Sequence, residues 1–284
     1  GDDDQAIYRW LGADVERFID YPGTKIVLPQ SYRVKKKVQD FAQQIIMVTK
    51  NRIQKEWDSQ EEEGVLKYHQ NMQSVDLSTG NWLLLGRDKY VLNNLEEECR
   101  NQGLWYEKQE HKNIVRPISQ RMFDAVIGWS DLMKGEMIDK KTIKKVFFYK
   151  RVSDKYEEEL DMMNDKHLYD LDTLTILFGP FSVGEWHKAL DKINLQDRAY
   201  LLRLGMGNEN ITKPPRIKIS TIHAAKGGEC DNVLLTTDMN IKTYQSYQKD
   251  SDDEQRVFYV GATRAKEELH VLLPQTTMHF KLAL

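Results

Sequence analysis

The stretch NWLLLGRDKYVLNNLEEECRNQGLWYEK, residues 81–108, carries the reading of the fold. Residues 81–86 (NWLLLG) form an apolar run that ends on a glycine, the mark of a buried strand. Residues 89–102 follow as a helix, and Gly103 stands where a helix commonly closes. Residues 104–108 make another short strand. Strand, helix and strand in this order imply a parallel α/β sheet, because parallel neighbours need a crossover that a helix supplies.

Outward from that stretch the rhythm continues, breaks and returns. On the N-terminal side, residues 25–28 (KIVL) read as a short buried strand. Residues 34–49 read as a helix, with Val34, Val38, Phe41 and Ile45 at helical spacing. Residues 59–64 are an acidic loop, and 65–68 a candidate strand. From about 113 to 205 the patterns are mostly helical, over 118–132, 154–163, 183–193 and 197–204. Pro214 and Pro215 end that stretch. Strands at 217–221 and 231–236, a helix at 252–265 and a strand at 268–273 then restore the α/β rhythm. The expected organisation is one α/β domain interrupted by a helical insertion of roughly a hundred residues, with no internal repeat or low-complexity tract.

Bulk properties exclude some functions. The chain has 284 residues, 40% hydrophobic and 30% charged, with a net charge of −3. No global basic field announces nucleic acid, so any such binding has to be local. Cys99 and Cys230 lie far apart and match no metal spacing. They fit free thiols in a reducing, cytoplasm-like compartment. No apolar run approaches the roughly 18–20 residues needed to cross a bilayer, and the acidic start does not read as a signal peptide.

Four segments carry chemistry: residues 1–13 (GDDDQAIYRWLGA), 28–33 (LPQSYR), 220–229 (STIHAAKGGE) and 254–266 (EQRVFYVGATRAK). Three of them place polar residues just after an expected strand or on the helix that follows one, and ligands of open parallel sheets bind at the carboxyl ends of strands. Arg33 and Arg264 stand out, since a guanidinium presents a rigid fork of donors suited to phosphate oxygens. Two arginines from separate strand ends could converge on one polyphosphate.

In order, these segments resemble motifs III, IV, V and VI of superfamily 1 DNA helicases of the UvrD/Rep/PcrA type, and residues 82–107 resemble the family stretch between motifs IV and V. The resemblance implies a RecA-like second motor domain of a P-loop NTPase helicase with a mainly helical insertion. Residues 1–20 would be the tail of a first motor domain, 21–110 and 214–284 the two parts of the second, and 111–213 the inserted subdomain. A Walker A loop and a Walker B carboxylate pair would precede motif III, and this chain contains no Gly-Lys pair. It therefore reads as the second half of a helicase, inactive by itself.

Roles carry over position by position. The resemblance makes Gln5 the sensor of the γ-phosphate, Arg33 and Arg264 the arginines that reach it across the cleft, Tyr32 the ring that stacks on adenine, and Glu229, beside Gly227, the acid near the ribose. Tyr8, Trp10, Thr221 and His223 fall on positions that contact single-stranded DNA. The implied cofactors are ATP and Mg²⁺, the ion being held mainly by the first motor domain, and no metal ligand is assigned here. The implied partners are single-stranded DNA, junctions of single- and double-stranded DNA, and that first motor domain. Gly228 and Cys230 depart from the family's apolar and aromatic residues.

Each residue also has a plainer reading. Asp2–Asp4 could be a solvated turn, Tyr8 and Trp10 core aromatics, Tyr32 a packed strand end, His223 a satisfied histidine and Arg33 a surface ion pair. Residues 140–151 (KKTIKKVFFYKR) read either as a duplex-binding patch or as a solvated charged face. The leading function is the motor half of an ATP-dependent helicase or translocase moving 3′ to 5′ on single-stranded DNA, in repair or replication. A binding module that kept the fold without ATPase activity, and the helicase section of a helicase–nuclease, are the alternatives.

Overall fold

The computed structural model describes residues 1–28, 30–55, 58, 60–110, 113–152, 156–180, 182–206 and 209–282. In chain order its elements are α1 (Val15–Ile19), α2 (Lys36–Ile46), β1 (Val65–His69), β2 (Trp82–Gly86), α3 (Lys89–Gln102), β3 (Tyr106–Glu110) and β4 (Asn113–Val115). Next come α4 (Gln120–Met133), β5 (Ile138–Asp139), α5 (Lys140–Tyr149), α6 (Tyr156–Met162), β6 (Leu168–Tyr169), α7 (Leu171–Phe178), α8 (Trp186–Ala189) and α9 (Leu195–Met206). The chain closes with β7 (Ile217–Thr221), β8 (Cys230–Thr236), α10 (Ile241–Lys249), α11 (Asp252–Ala262) and β9 (Ala265–Leu272). Two compact units result: residues 1–115 with 210–284, and residues 116–209.

The first unit is built on a seven-stranded sheet in the order β1-β9-β8-β2-β7-β3-β4. Its strands pair in parallel except for β3 with β4. β2 sits at the centre, where Leu84 lies opposite Leu234 of β8 and Ile219 of β7. Every residue of β2 is buried, as expected of a parallel strand covered on both faces. Burying each such leucine contributes roughly 1.5–3 kcal/mol.

On one face, α2 and α11 pack Val38, Phe41, Ala42, Ile45, Val257 and Phe258 into the same apolar cluster as Leu83, Leu85, Val233 and Leu235. α2 buries a stripe at three- and four-residue spacing, which is why its pattern is legible in sequence. α3 ends on Gly103 at φ +68°, a left-handed cap that a side chain would strain.

The second unit is mainly helical, with β5 and β6 pairing antiparallel. Asp139 and Asp170 cap α5 and α7 by accepting hydrogen bonds from the N–H of Thr142 and Thr173, both at 2.8 Å. Trp129, Ile143, Val146, Phe147 and Leu174 are fully buried. Lys150 is buried as well, and its ammonium donates to the carbonyls of Ser182 and Ala189.

Several expectations change. Residues 25–28 form no strand, and Ile26 and Leu28 are 81% and 77% exposed. Their apolar run is real but has no paired neighbour among the described residues, so composition alone misplaced it. The expected helix over 183–193 shrinks to α8, while α5, α7 and α10 form in segments that sequence reading left without a helix. Position 59 of the acidic loop, and positions 154 and 155 of the expected helix at 154–163, lie outside the described residues.

Candidate functional site

Arg264 sits in the turn between α11 and β9, because the helix expected over 252–265 ends at Ala262, and it is 1% exposed. Its guanidinium donates to the carbonyls of Val260 (2.9 Å) and Gly228 (3.0 Å) and to the Thr263 hydroxyl (3.1 Å). No carboxylate accepts from it among the described residues. Burial, and then Arg33 nearby, pull its pKa down to about 10. Arg33, just ahead of α2, has a buried Nε without a hydrogen-bond partner, and Glu229 stands 4.0 Å from it. Lys226 joins the group: burial and Arg264 both lower its ammonium, and it donates to the Gln5 carbonyl at 2.7 Å. Three cations therefore gather with one half-exposed carboxylate, and oxygens of a polyanion would supply the missing acceptors.

The place of this cluster differs from the expected carboxyl ends of strands. Glu229 immediately precedes β8 and Arg264 immediately precedes β9. The Cys230 N–H donates to the Arg264 carbonyl at 3.0 Å. The arginines thus meet at the amino ends of β8 and β9, and Arg33 follows no strand at all. Residues 222–229 run from the carboxyl end of β7 back to the amino end of the parallel strand β8. That loop parts Thr221 and His223 from Glu229. Gly227 turns it at φ +89°, where added bulk would meet nothing but the backbone conformation would be strained.

The N-terminal segment lies along this loop. His223 Nε2 donates to the Ile7 carbonyl (3.1 Å), and the Tyr8 hydroxyl donates to the His223 carbonyl (2.7 Å). Lys226 lies over the Tyr8 ring, 5.1 Å from its centroid. Burial, and then Arg87 nearby, push the His223 pKa down to about 4, so the ring is neutral at pH 7. Arg87, at the carboxyl end of β2, makes a two-pronged pair with Glu254 at 2.6 and 2.7 Å. The Thr221 hydroxyl accepts from the Ala224 N–H at 3.2 Å. Trp10 is 73% exposed and Tyr32 84% exposed, so neither is a core aromatic. The Gln5 amide donates to Asp2 at 2.7 Å.

Asp2–Asp4 are not a solvated turn. Asp3 and Asp4 are buried, Asp4 at 0% exposure. Arg52 grips Asp4 through Nε (3.0 Å) and a terminal nitrogen (2.8 Å). Lys55 pairs with all three carboxylates. Burial alone would raise the Asp3 carboxyl, but hydrogen bonds from Lys55 and the Ile53 N–H override it and hold it below its ordinary value. Buried Arg256 of α11 donates to the carbonyls of Asp3 and Asn51. Sequence reading gave no role to Arg52, Lys55, Arg256 or Lys226. The last two lay inside the quoted segments and could have been found. Arg52 and Lys55 lie in irregular chain with no periodic signal.

These donor sets bear on the expected cofactors. The unbalanced cations fit the phosphates of ATP. A Mg²⁺ ion does not fit the acidic triplet, whose oxygens are engaged by Lys55, Arg52 and backbone N–H groups. Among the described residues, no group of three or more His, Cys, Asp or Glu is placed to hold a metal ion. No helix there is long and apolar enough to cross a membrane.

Comparison with known proteins agrees with this architecture. The family model of the UvrD-like helicase C-terminal domain matches residues 83–276. A similar relative is the ATP-dependent DNA helicase PcrA of Bacillus subtilis, 23% identical over 166 residues. That alignment covers 56% of this chain and 22% of the relative, so the chain spans a minor part of that protein's length. A mostly parallel sheet with a helical insertion, four motif segments in order and a family match over most of the sequence lead to one conclusion: the chain belongs to the UvrD-like helicase C-terminal domain family.

Proposed function

We propose that this chain is the second motor half of an ATP-driven DNA helicase or translocase, moving 3′ to 5′ on single-stranded DNA in repair or replication. In this reading residues 1–20 belong to the end of a first motor domain. Residues 21–110 and 214–284 make the second, and 111–213 the insertion. The observation that carries the reading is Arg264, buried beside Arg33 with no carboxylate of its own. A purely structural arginine at 1% exposure would be expected to have an anionic partner.

Bound ATP would supply a γ-phosphoryl group whose transfer to water, with cleavage of the anhydride bond to ADP, drives the motor. The residues here have distinct tasks. Arg33 and Arg264 place fixed positive charge where negative charge spreads over the transferred group, an effect typically worth roughly 10³–10⁵ in rate. Gln5, whose amide donates to Asp2, would exchange that partner for the phosphate and the attacking water. Lys226 ties the Gln5 backbone to the same loop that carries Glu229, so movement of one reaches the other. Tyr32 offers an open ring to the adenine and Glu229 an acceptor to the ribose. Trp10 and Tyr8 grip bases on the far side of the loop, where Thr221 and His223 lie. Stacking on such rings holds any base with about 1–3 kcal/mol and no sequence preference.

The test is a paired set of steady-state ATPase and DNA-binding curves on a protein that also carries a first motor domain. Arg264→Ala should lower kcat by at least about a hundredfold with little loss of DNA affinity, and Arg264→Lys should not rescue it. Trp10→Ala should weaken DNA binding and leave basal hydrolysis standing. Near-normal turnover of Arg264→Ala with lost DNA affinity would assign Arg264 to the DNA track instead.

A further inference from the structure

The second unit holds a cavity of about 480 Å³ bounded by α4, α5 and α6, independent of the motor residues. Arg121, Lys141, Lys144, Lys145 and Phe148 line it, with the carboxylates of Glu157 and Asp161. The cations on α5 follow a helical rule. Positions 141, 144, 145 and 148 fall on one face, while Ile143, Val146 and Phe147 are buried on the other. Lys144 and Lys145 have carboxylate partners, Asp161 at 3.4 Å and Asp124 at 2.5 Å. Arg121 has none among the described residues. It lies over the Phe148 ring instead, 4.5 Å from the centroid. Lys141 makes no ion pair there either. Phe148 is 49% exposed, and with Asp124 counted beside Glu157 and Asp161, four cations face three carboxylates at the cavity.

From this geometry we infer that the cavity is a second nucleic-acid site, one that takes a nucleotide of a single strand. Phe148 would stack on the base, and Arg121, Lys141 and Lys144 would meet the flanking phosphates. A solvated charged face does not account for an arginine and an open ring held against each other inside a concavity. A duplex does not suit it, because paired bases stay stacked within the helix and offer no free π-face to Phe148. A lone strand offers both a ring and phosphates, at a volume within the usual range for ligand pockets. A free nucleotide shares this chemistry, and the experiment separates the two sources.

Anisotropy of a fluorescein-labelled dT12 strand should be measured on the whole 284-residue chain, with Trp10→Ala in every sample so that the other DNA candidate is weakened. Binding should persist in that background, and Phe148→Ala should weaken it by at least about fivefold. Arg121→Ala with Lys141→Ala should lower the salt slope by about 1.4, that is, about 0.7 for each lost phosphate contact. All three residues are exposed, and matching far-UV circular dichroism spectra would exclude misfolding. Unchanged affinity and slope in both variants would overturn the inference. Equal or tighter binding of a blunt duplex through the same residues would overturn it in favour of a duplex face. Displacement of dT12 by dTMP at comparable concentration would overturn the strand and leave a free-nucleotide pocket.

Discussion

Two clusters of charge lie within the first unit, and they are built in opposite ways. Around Asp2, Asp3 and Asp4, every buried charge has a partner: Arg52 and Lys55 face three carboxylates. Around Arg33, Arg264 and Lys226, cations face one another; Glu229 stands 4.0 Å from Arg33, and Asp2 acts on Lys226 without an ion pair. Both clusters are costly to desolvate, but only the first recovers that cost internally. The matched cluster fastens the N-terminal segment to residues 51–55 and to α11. The unmatched one retains an unmet demand for anions, and such demand is what distinguishes a ligand site from an internal brace.

This contrast can be broken by experiment. Asp4→Ala should give the largest effect, because it leaves buried Arg52 without its carboxylate and takes one of three from Lys55. A loss of about 3–5 kcal/mol in denaturant unfolding is expected. A loss under about 1 kcal/mol would show that the acidic triplet is no brace. Inorganic tripolyphosphate should stabilise the chain by filling the unmatched cluster, by about 1.4 kcal/mol at tenfold its dissociation constant. Arg264→Ala should abolish this shift in thermal unfolding; an undiminished shift would place the anion elsewhere.

The third effect is one of pH. His223 titrates near 4 in the fold and near 6.5 when unfolded, so the unfolded chain binds the extra proton between those values. Its contribution is complete above about pH 6.5 and is lost as pH falls toward 4. The chain should be about 1 kcal/mol less stable at pH 5.5 than at pH 7.5 from this group alone. His69 and His270, which stack at 5.0 Å and are also lowered by burial, add in the same direction. His223→Gln should flatten part of this slope, and an unaltered slope would mean that the ring is not held neutral. The smallest effect is expected for Arg33→Ala, a partly exposed cation that faces another cation. Stability should change by no more than about 0.5 kcal/mol, while the tripolyphosphate shift weakens. A loss comparable to that of Asp4→Ala would erase the distinction between the clusters.

Much of this protein was determined by local sequence. β2, α3 and β7 lie where periodicity and the closing glycine put them, since a central parallel strand must be apolar throughout and a covered helix must carry one apolar stripe. The four motif segments could be read for the same kind of reason, as short runs of fixed chemistry. Tertiary structure decided the rest. Residues 25–28 have the composition of a strand but no neighbour to pair with, and a strand exists only as part of a ladder. Asp3 and Asp4 look like surface residues until Arg52 and Lys55, about fifty positions away, come to cover them. Arg33 and Arg264 stand far apart in the chain and share no periodicity. They come together because α2 packs against α11 and residues 222–229 return to the amino end of β8, where the Gly228 carbonyl meets Arg264 and Glu229 faces Arg33. Hydrophobic periodicity is a local signal, whereas the balance of buried charge is a sum over groups brought together by the whole fold.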